Sequence, residues 1–334
     1  MIKAAFFDTK PYDRIWFDRL KKDYGVELEY FESKLSPRTA VMAKGSQAVV
    51  AFVNDNIGAE TIRVLENSGV QMLAMRCAGY NNVDLAAANG SITVARVPEY
   101  SPYAIAEHTM ALLLTLVRKT HRAYIRTRDY NFSLSGFVGF DLHGKTVGVI
   151  GTGRIGMAFV NICKGMGMNI IAYDPAPSKG FLEYVSLDEL FRRSDVISLH
   201  CPLTGDTHHI INEKSLSLMK ERVYILNTSR GALIDSEALI AAIKQGRIGG
   251  AGLDVYEEES EFFYEDLSDT VIKDDVLARL IAMPNVLVTS HQAFLTQEAL
   301  ERIAGITLGN IRDYFSGKKL ENEIVSKRKV LRNE

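Results

Sequence analysis

A strand-like run, Val147-Gly148-Val149-Ile150, passes directly into Gly151-Thr152-Gly153-Arg154-Ile155-Gly156 and then into helical spacing through Lys164. Each glycine of such a turn has its own task. The first permits the tight bend, the second lets a pyrophosphate approach the backbone, and the third lets helix and strand pack closely. The amides and the positive end of the helix dipole then face the phosphates. Asp174 follows the next apolar run, Ile170-Ile171-Ala172-Tyr173, 18 positions beyond Gly156. There a carboxylate accepts hydrogen bonds from ribose hydroxyls and repels a 2′-phosphate, so NAD is the expected cofactor in preference to NADP. The competing reading of Asp174 is an exposed carboxylate in a turn before Pro175.

About 145 residues of a 334-residue chain precede this strand, enough for a separate domain. Ala4–Phe7, Ala48–Val53, Met72–Met75 and Ile92–Ala95 have the composition of buried strands. Tyr12–Tyr24 and Ala59–Ser68 have helical spacing, the latter stopping at Gly69. Alternating strand and helix predict a parallel α/β sheet. Pro102 then opens a long helix to about Arg128. Strand-like runs resume at Thr146–Ile150, Asn169–Tyr173, Val196–Leu199, Val223–Asn227, Ala251–Asp254 and Val286–Thr289, enough for a second doubly wound sheet. A helix over Thr296–Phe315 and a charged tail complete the chain.

Composition excludes several classes. Hydrophobic residues at 47% and charged residues at 24% describe a globular protein and exclude low complexity. With 39 basic and 41 acidic side chains and no basic block, no nucleic-acid partner is expected. Ala104–Val117 is too short to span a bilayer and carries Glu107 and His108, so no membrane partner is expected either. Cys77, Cys163 and Cys201 form no CxxC pair, which fits a reducing, cytoplasmic setting, and the N-terminus shows no targeting segment. His208-His209 has no further ligand at metal spacing, so no metal site is expected.

Ligands of open α/β sheets bind beyond the carboxyl ends of the strands, which makes polar residues just after strand-like runs the candidates for chemistry. Arg230 in Asn227-Thr228-Ser229-Arg230-Gly231, Asp254, and His291 in Ser290-His291-Gln292-Ala293-Phe294 occupy such places, and an acidic stretch runs from Glu257 to Glu261. Hydride exchange between nicotinamide and a 2-hydroxy or 2-oxo acid needs a cation for the substrate carboxylate, which arginine's planar fork suits. It needs an imidazole to move the proton on the oxygen of carbon two. It also needs a carboxylate that orients that imidazole and favours its acid form. Each residue type also has a bland reading: a surface ion pair for Arg230, a structural role for His291, a solvated acidic face for Glu257-Glu258-Glu259. Spacing does not choose Glu259 from its neighbours.

Arg76-Cys77-Ala78-Gly79-Tyr80-Asn81-Asn82-Val83-Asp84, the glycine turn at Gly151, Asn227–Gly231, Gly252-Leu253-Asp254-Val255-Tyr256-Glu257 and Ser290–Phe294 together resemble the D-2-hydroxyacid dehydrogenase family, in order, as far as about Phe315. The resemblance implies that Arg230 binds and polarises the substrate, that Glu259 supports the histidine, and that His291 is the acid/base. It implies substrate contacts from the amides of Ala78 and Gly79, from Tyr100, and from Phe52 and Phe294 around a small methyl group. It implies cofactor contacts from Gly151, Gly153, Arg154, Ile155, Gly156, Asp174, Cys201, Pro202, Thr207, Thr228, Ser229 and Asp254, with Cys201 acting through backbone and packing.

Phe52-Val53-Asn54-Asp55, Val97–Pro102, His121–Asp129 and Phe262–Asp266 are similar to the members that interconvert pyruvate and D-lactate, and less like the phosphoglycerate or formate branches. The implied fold is a Rossmann cofactor domain, residues 101–298, inserted into a flavodoxin-like substrate domain, residues 1–100 plus 299–334. The active site would then lie in a cleft closed by hinge motion, in a homodimer or homotetramer. Two alternatives accompany this reading: another 2-oxo acid (bulkier, or glyoxylate or hydroxypyruvate), and an NAD-sensing transcriptional co-repressor, which keeps the same fold.

Overall fold

Short apolar runs with little polar decoration must be buried on both faces, and a parallel sheet covered by helices achieves this. The computed structural model describes residues 1–177, 180, 182–259 and 262–324. It divides into two units, Met1–Ser101 with Leu295–Glu334, and Pro102–Phe294. Positions 325–334 of the tail, and Ser260 and Glu261 of the acidic stretch, lie outside the described residues.

The first unit runs β1 (Ile2–Phe6), α1 (Pro11–Leu20), β2 (Val26–Tyr30), β3 (Ala48–Ala51), α2 (Ala59–Asn67), β4 (Met72–Met75), α3 (Leu85–Ala88) and β5 (Thr93–Ala95). Its sheet has the order β2-β1-β3-β4-β5, all parallel, which is the flavodoxin-like winding. Every residue of β3 and β4 is buried, as continuous apolar runs require. The strand β2 has no counterpart among the expected strands. It lies at the sheet edge, where exposed Glu27 and Glu29 alternate with buried Val26 and Leu28, so it lacks a solid apolar run.

In the second unit the order is α4 (Pro102–Arg118), α5 (Thr120–Arg128), β6 (Thr146–Ile150), α6 (Arg154–Gly165), β7 (Asn169–Tyr173), β8 (Glu183–Tyr184), α7 (Leu187–Arg193), β9 (Val196–Leu199), α8 (Glu213–Leu218), β10 (Val223–Asn227), α9 (Ser236–Lys244), β11 (Ile248–Leu253), α10 (Asp275–Ala282) and β12 (Val286–Val288). The sheet order β12-β11-β10-β9-β6-β7-β8 is the Rossmann winding with one more strand at the β12 edge. Two-residue β8 is too short to register as a strand in the sequence. The expected helix from Pro102 to Arg128 is two helices, because Lys119 adopts a left-handed conformation (φ 53°) that ends the first and caps the second. Apolar α4 is buried along Ala106, Leu113 and Val117, whereas no residue of α5 is buried.

The last helix, α11 (Gln297–Phe315), belongs to the first unit. Its Ala304, Leu308 and Ile311 join Phe6, Phe17, Val50 and Met72 in one core. Beyond it Glu323 bridges Ala95 of β5, and the Ile324 amide donates to Val94 O at 2.8 Å. The chain end thus completes the unit that the chain start began.

Candidate active site

The glycine turn lies between β6 and α6. Gly151 has φ 93°, and a Cβ there would approach His200 O to 2.6 Å. A Cβ on Gly156 would overlap Gly151 O, so the first turn of α6 can pack on β6 only with glycine. Gly153 is different: nothing lies within 4 Å of where its Cβ would be. It is also the N-cap of α6 and provides no side-chain cap. Helix geometry leaves the first amides of α6 without intrahelical partners, donors of the kind that bind phosphate groups.

Asp174 closes β7. Its Oδ2 accepts hydrogen bonds from the Thr152 amide (2.7 Å) and hydroxyl (3.0 Å), and its Oδ1 accepts from the Ala176 amide (2.9 Å). Burial opposes its ionisation, but these donors outweigh burial and hold the carboxyl below its ordinary range. The glycine turn and the Asp174 carboxylate are therefore tied through Thr152. Arg154 is exposed and Ile155 partly buried at the start of α6. Across the sheet, Ser229 Oγ donates to Cys201 O at 2.8 Å, and buried Thr228 Oγ1 lies 2.8 Å from Thr109 Oγ1. Thr207 Oγ1 donates to Pro202 O at 2.7 Å. Burial pushes the Cys201 thiol up to about 11, leaving it a packing group at neutral pH.

The ends of β10, β11 and β12 carry the titratable constellation. His291 Nδ1 lies 2.8 Å from Glu259 Oε1, and Glu259 Oε2 accepts from the Tyr256 amide at 3.0 Å. His291 has φ 52°, a conformation uncommon for a residue with a Cβ and one that persists only where its surroundings enforce it. Asp254 supplies much of that enforcement. Its carbonyl accepts from the His291 amide at 2.7 Å, and its fully buried carboxylate accepts from the Gln292 and Ala293 amides, both at 2.9 Å, and from Thr289 Oγ1 at 2.6 Å. His108 Nε2 stands 3.3 Å from the same carboxylate. Burial works against the charge of Asp254, but the hydrogen bonds led by His108 and Thr289 prevail and lower its pKa. Tyr264 closes the other side, its hydroxyl donating to His291 O at 3.1 Å.

Arg230 follows β10 on a turn braced by Asn227, whose side chain accepts from the Ser229 amide (3.1 Å) and donates to Arg230 O (2.8 Å). A Cβ on Gly231 would overlap the backbone of Tyr256 and Glu257. The arginine turn is thus packed against the segment that carries Glu259.

Of the remaining candidates, Phe52, Ala78, Gly79 and Tyr100 lie in the first unit. Phe52 is buried with the Arg76 guanidinium 4.0 Å from its ring centre. Asn82 Nδ2 donates to Phe52 O and to Asp55 O, both at 2.9 Å, and Arg96 Nη1 donates to Ala78 O at 2.8 Å. These bonds hold Phe52 and the Ala78-Gly79 turn as one group, while Tyr100 is partly buried just before α4. Phe294 is buried in the second unit.

Sequence reasoning assigned no role to His108, Thr289, Asn227 and Tyr264. Only the first carried a signal, as a polar residue inside an apolar helix. It also found no third ligand for His208-His209, whereas the fold brings Glu257 Oε1 to 2.7 Å of His209 Nε2.

Comparison with known proteins agrees with this geometry. Residues 110–293 match the model of the D-isomer specific 2-hydroxyacid dehydrogenase NAD binding domain. D-lactate dehydrogenase of Escherichia coli (strain K12) is 51% identical over 329 residues, 97% of this chain and all of that one. The chain belongs to the D-2-hydroxyacid dehydrogenase family. It is therefore an NAD-dependent oxidoreductase. Two solved structures of this family illustrate the likeness. The apo structure of the Escherichia coli D-lactate dehydrogenase superimposes with a TM-score of 0.90 at 49% identity, covering 97% of this chain and 100% of that one. The pyruvate reductase of Chlamydomonas reinhardtii gives 0.92 at 41% identity, covering 96% and 98%. The two parallel-sheet domains of this dehydrogenase fold account for the windings described above.

Proposed function

We propose that this dehydrogenase interconverts pyruvate and D-lactate. The observation that carries the reading is the His291–Glu259 pair at the strand ends of a NAD-binding sheet, in a chain half identical to a D-lactate dehydrogenase. Bound NADH supplies a hydride for carbon two of the substrate. Arg230 holds the carboxylate and draws charge toward the carbonyl oxygen. Glu259 occupies Nδ1 of His291, so Nε2 is the nitrogen that delivers the proton to that oxygen, and reversal returns the proton to Nε2. Pyruvate, one hydride and one proton thus give D-lactate.

In the same reading the amides of Ala78 and Gly79, with Tyr100, receive the substrate carboxylate, and Phe52 and Phe294 limit the space beside carbon three. The first α6 amides, Asp174, Thr207, Thr228, Ser229, Asp254 and the backbone of Cys201-Pro202 hold the dinucleotide. Residues 1–100 with 299–334 act as the substrate domain and 101–298 as the cofactor domain. Exposed Tyr124, Ile125, Tyr130, Phe132, Leu134 and Val138 form an apolar stretch that supports a homo-oligomer. Three buried cysteines that form no disulfide support a cytoplasmic setting. NADH oxidation across a panel of 2-oxo acids, with chiral analysis of the product, tests the proposal. Fastest turnover with pyruvate and a D-lactate product are expected; preference for a bulkier acid, for glyoxylate or for hydroxypyruvate overturns the choice of substrate.

A further inference from the structure

We infer that His208, His209 and Glu257 form a binding site for a divalent transition-metal ion such as Zn2+. The three ligand atoms, two imidazole nitrogens and one carboxylate oxygen, lie within 4.8 Å of one another. Zinc bound at about 2.0–2.2 Å to each ligand places them roughly 3.5 Å apart, so movements of about an ångström suffice. His208 is exposed and can make them by rotating its side chain.

The other two ligands are already placed. His209 adopts φ 49°, and two hydrogen bonds hold that conformation: its amide donates to Ala232 O at 2.9 Å, and Asn212 Nδ2 donates to its carbonyl at 2.7 Å. The result turns its ring toward Glu257 and stacks it on His208, with ring centres 4.0 Å apart. A side chain held in a strained backbone conformation is a reason to look for function. Two imidazoles and one carboxylate favour a borderline transition ion over Mg2+ or Ca2+, which take sets of oxygens. Three protein ligands leave a fourth position for water, the pattern of an exchangeable ion and not of a sealed structural one.

The ion would replace the His209–Glu257 hydrogen bond and tie the loop containing Thr207 to the segment containing Glu259. Tyr256 and Glu257 contact Gly231 next to Arg230, so occupancy reaches the catalytic neighbourhood through backbone alone. Purified apoprotein, titrated with Zn2+ in competition with a chromophoric chelator, tests the site. We expect one ion per chain and a rise in Tm on saturation, with Mg2+ giving neither. His208→Ala and Glu257→Gln should each weaken Zn2+ binding by about tenfold or more and abolish the thermal shift. Glu257→Gln keeps a hydrogen-bonding partner for His209, and His208→Ala alters only an exposed side chain, so both fold. Unchanged affinity and thermal shift in the two variants, or no binding to the parent protein, overturn the proposal.

Discussion

His291 and Glu259 stand 2.8 Å apart, nitrogen to oxygen, although 32 residues separate them in the chain. Neither is placed by its own flexibility. The histidine backbone is held in a left-handed conformation by Asp254, and the carboxylate is fixed at its second oxygen by the Tyr256 amide. A proton donor that needs no reorientation at the moment of reaction gives a lower barrier than one that must be ordered first.

Replacing His291 with alanine removes that donor. Pyruvate reduction by the His291→Ala variant should fall on the order of 100-fold or more. NADH binding, followed by nicotinamide fluorescence, should change little. Near-normal turnover would remove His291 from the mechanism.

Glu259→Gln separates orientation from charge. The amide can still accept a hydrogen bond from His291, but the negative charge that favours an imidazolium is gone. Reduction needs the protonated histidine, so the alkaline limb of the pH–rate profile should move to lower pH while the fold is retained. A superimposable profile would contradict the pairing.

Asp254→Asn tests the anchor. The folded carboxyl has a lowered pKa, so its contribution to stability is complete above the unfolded value and is lost as pH falls through the folded one. An amide presents NH2 to donors that require an acceptor, with an expected loss of about 3 kcal/mol. Thermal unfolding between pH 3 and 7 should show a lower Tm at neutrality and a shallower acid limb than in the parent protein. Equal curves would show that the loop does not depend on Asp254.

For Asp174→Ala the readout is the cofactor. Loss of the acceptor should raise the KM for NADH by about tenfold, and loss of the charge should narrow the preference over NADPH. The lowered pKa of Asp174 means that the charge persists across the whole neutral range, so this preference should not vary between pH 6 and 8. Comparable turnover with both cofactors in the parent protein would remove Asp174 from this role.

Local sequence was a good guide where one element contains the whole signal. The strand, glycine turn, helix and following aspartate occupy 28 residues, from Val147 to Asp174, and the whole sequence signal of the turn lies within them. Solid apolar runs such as Ala48–Ala51 and Met72–Met75 likewise announced themselves. Edge strand β2 was missed because exposed Glu27 and Glu29 interrupt its apolar run, and the break at Lys119 because φ is not written in the residue type.

The acidic run shows where that guidance ends. Glu257, Glu258 and Glu259 are identical in composition and adjacent in the chain, yet Glu257 meets His209, Glu258 is exposed and Glu259 meets His291. The sequence by itself determined a NAD-binding turn, its aspartate and an order of motifs that resembled one family. Tertiary structure alone decided which glutamate meets which histidine, that Asp254 gathers the hydrogen bonds of the His291 loop, and that a third polar group faces His208 and His209. The reason is physical: neighbours along the chain point in different directions, and their partners come from strand ends and loops 32 to 48 residues away, brought together only when the sheet is wound.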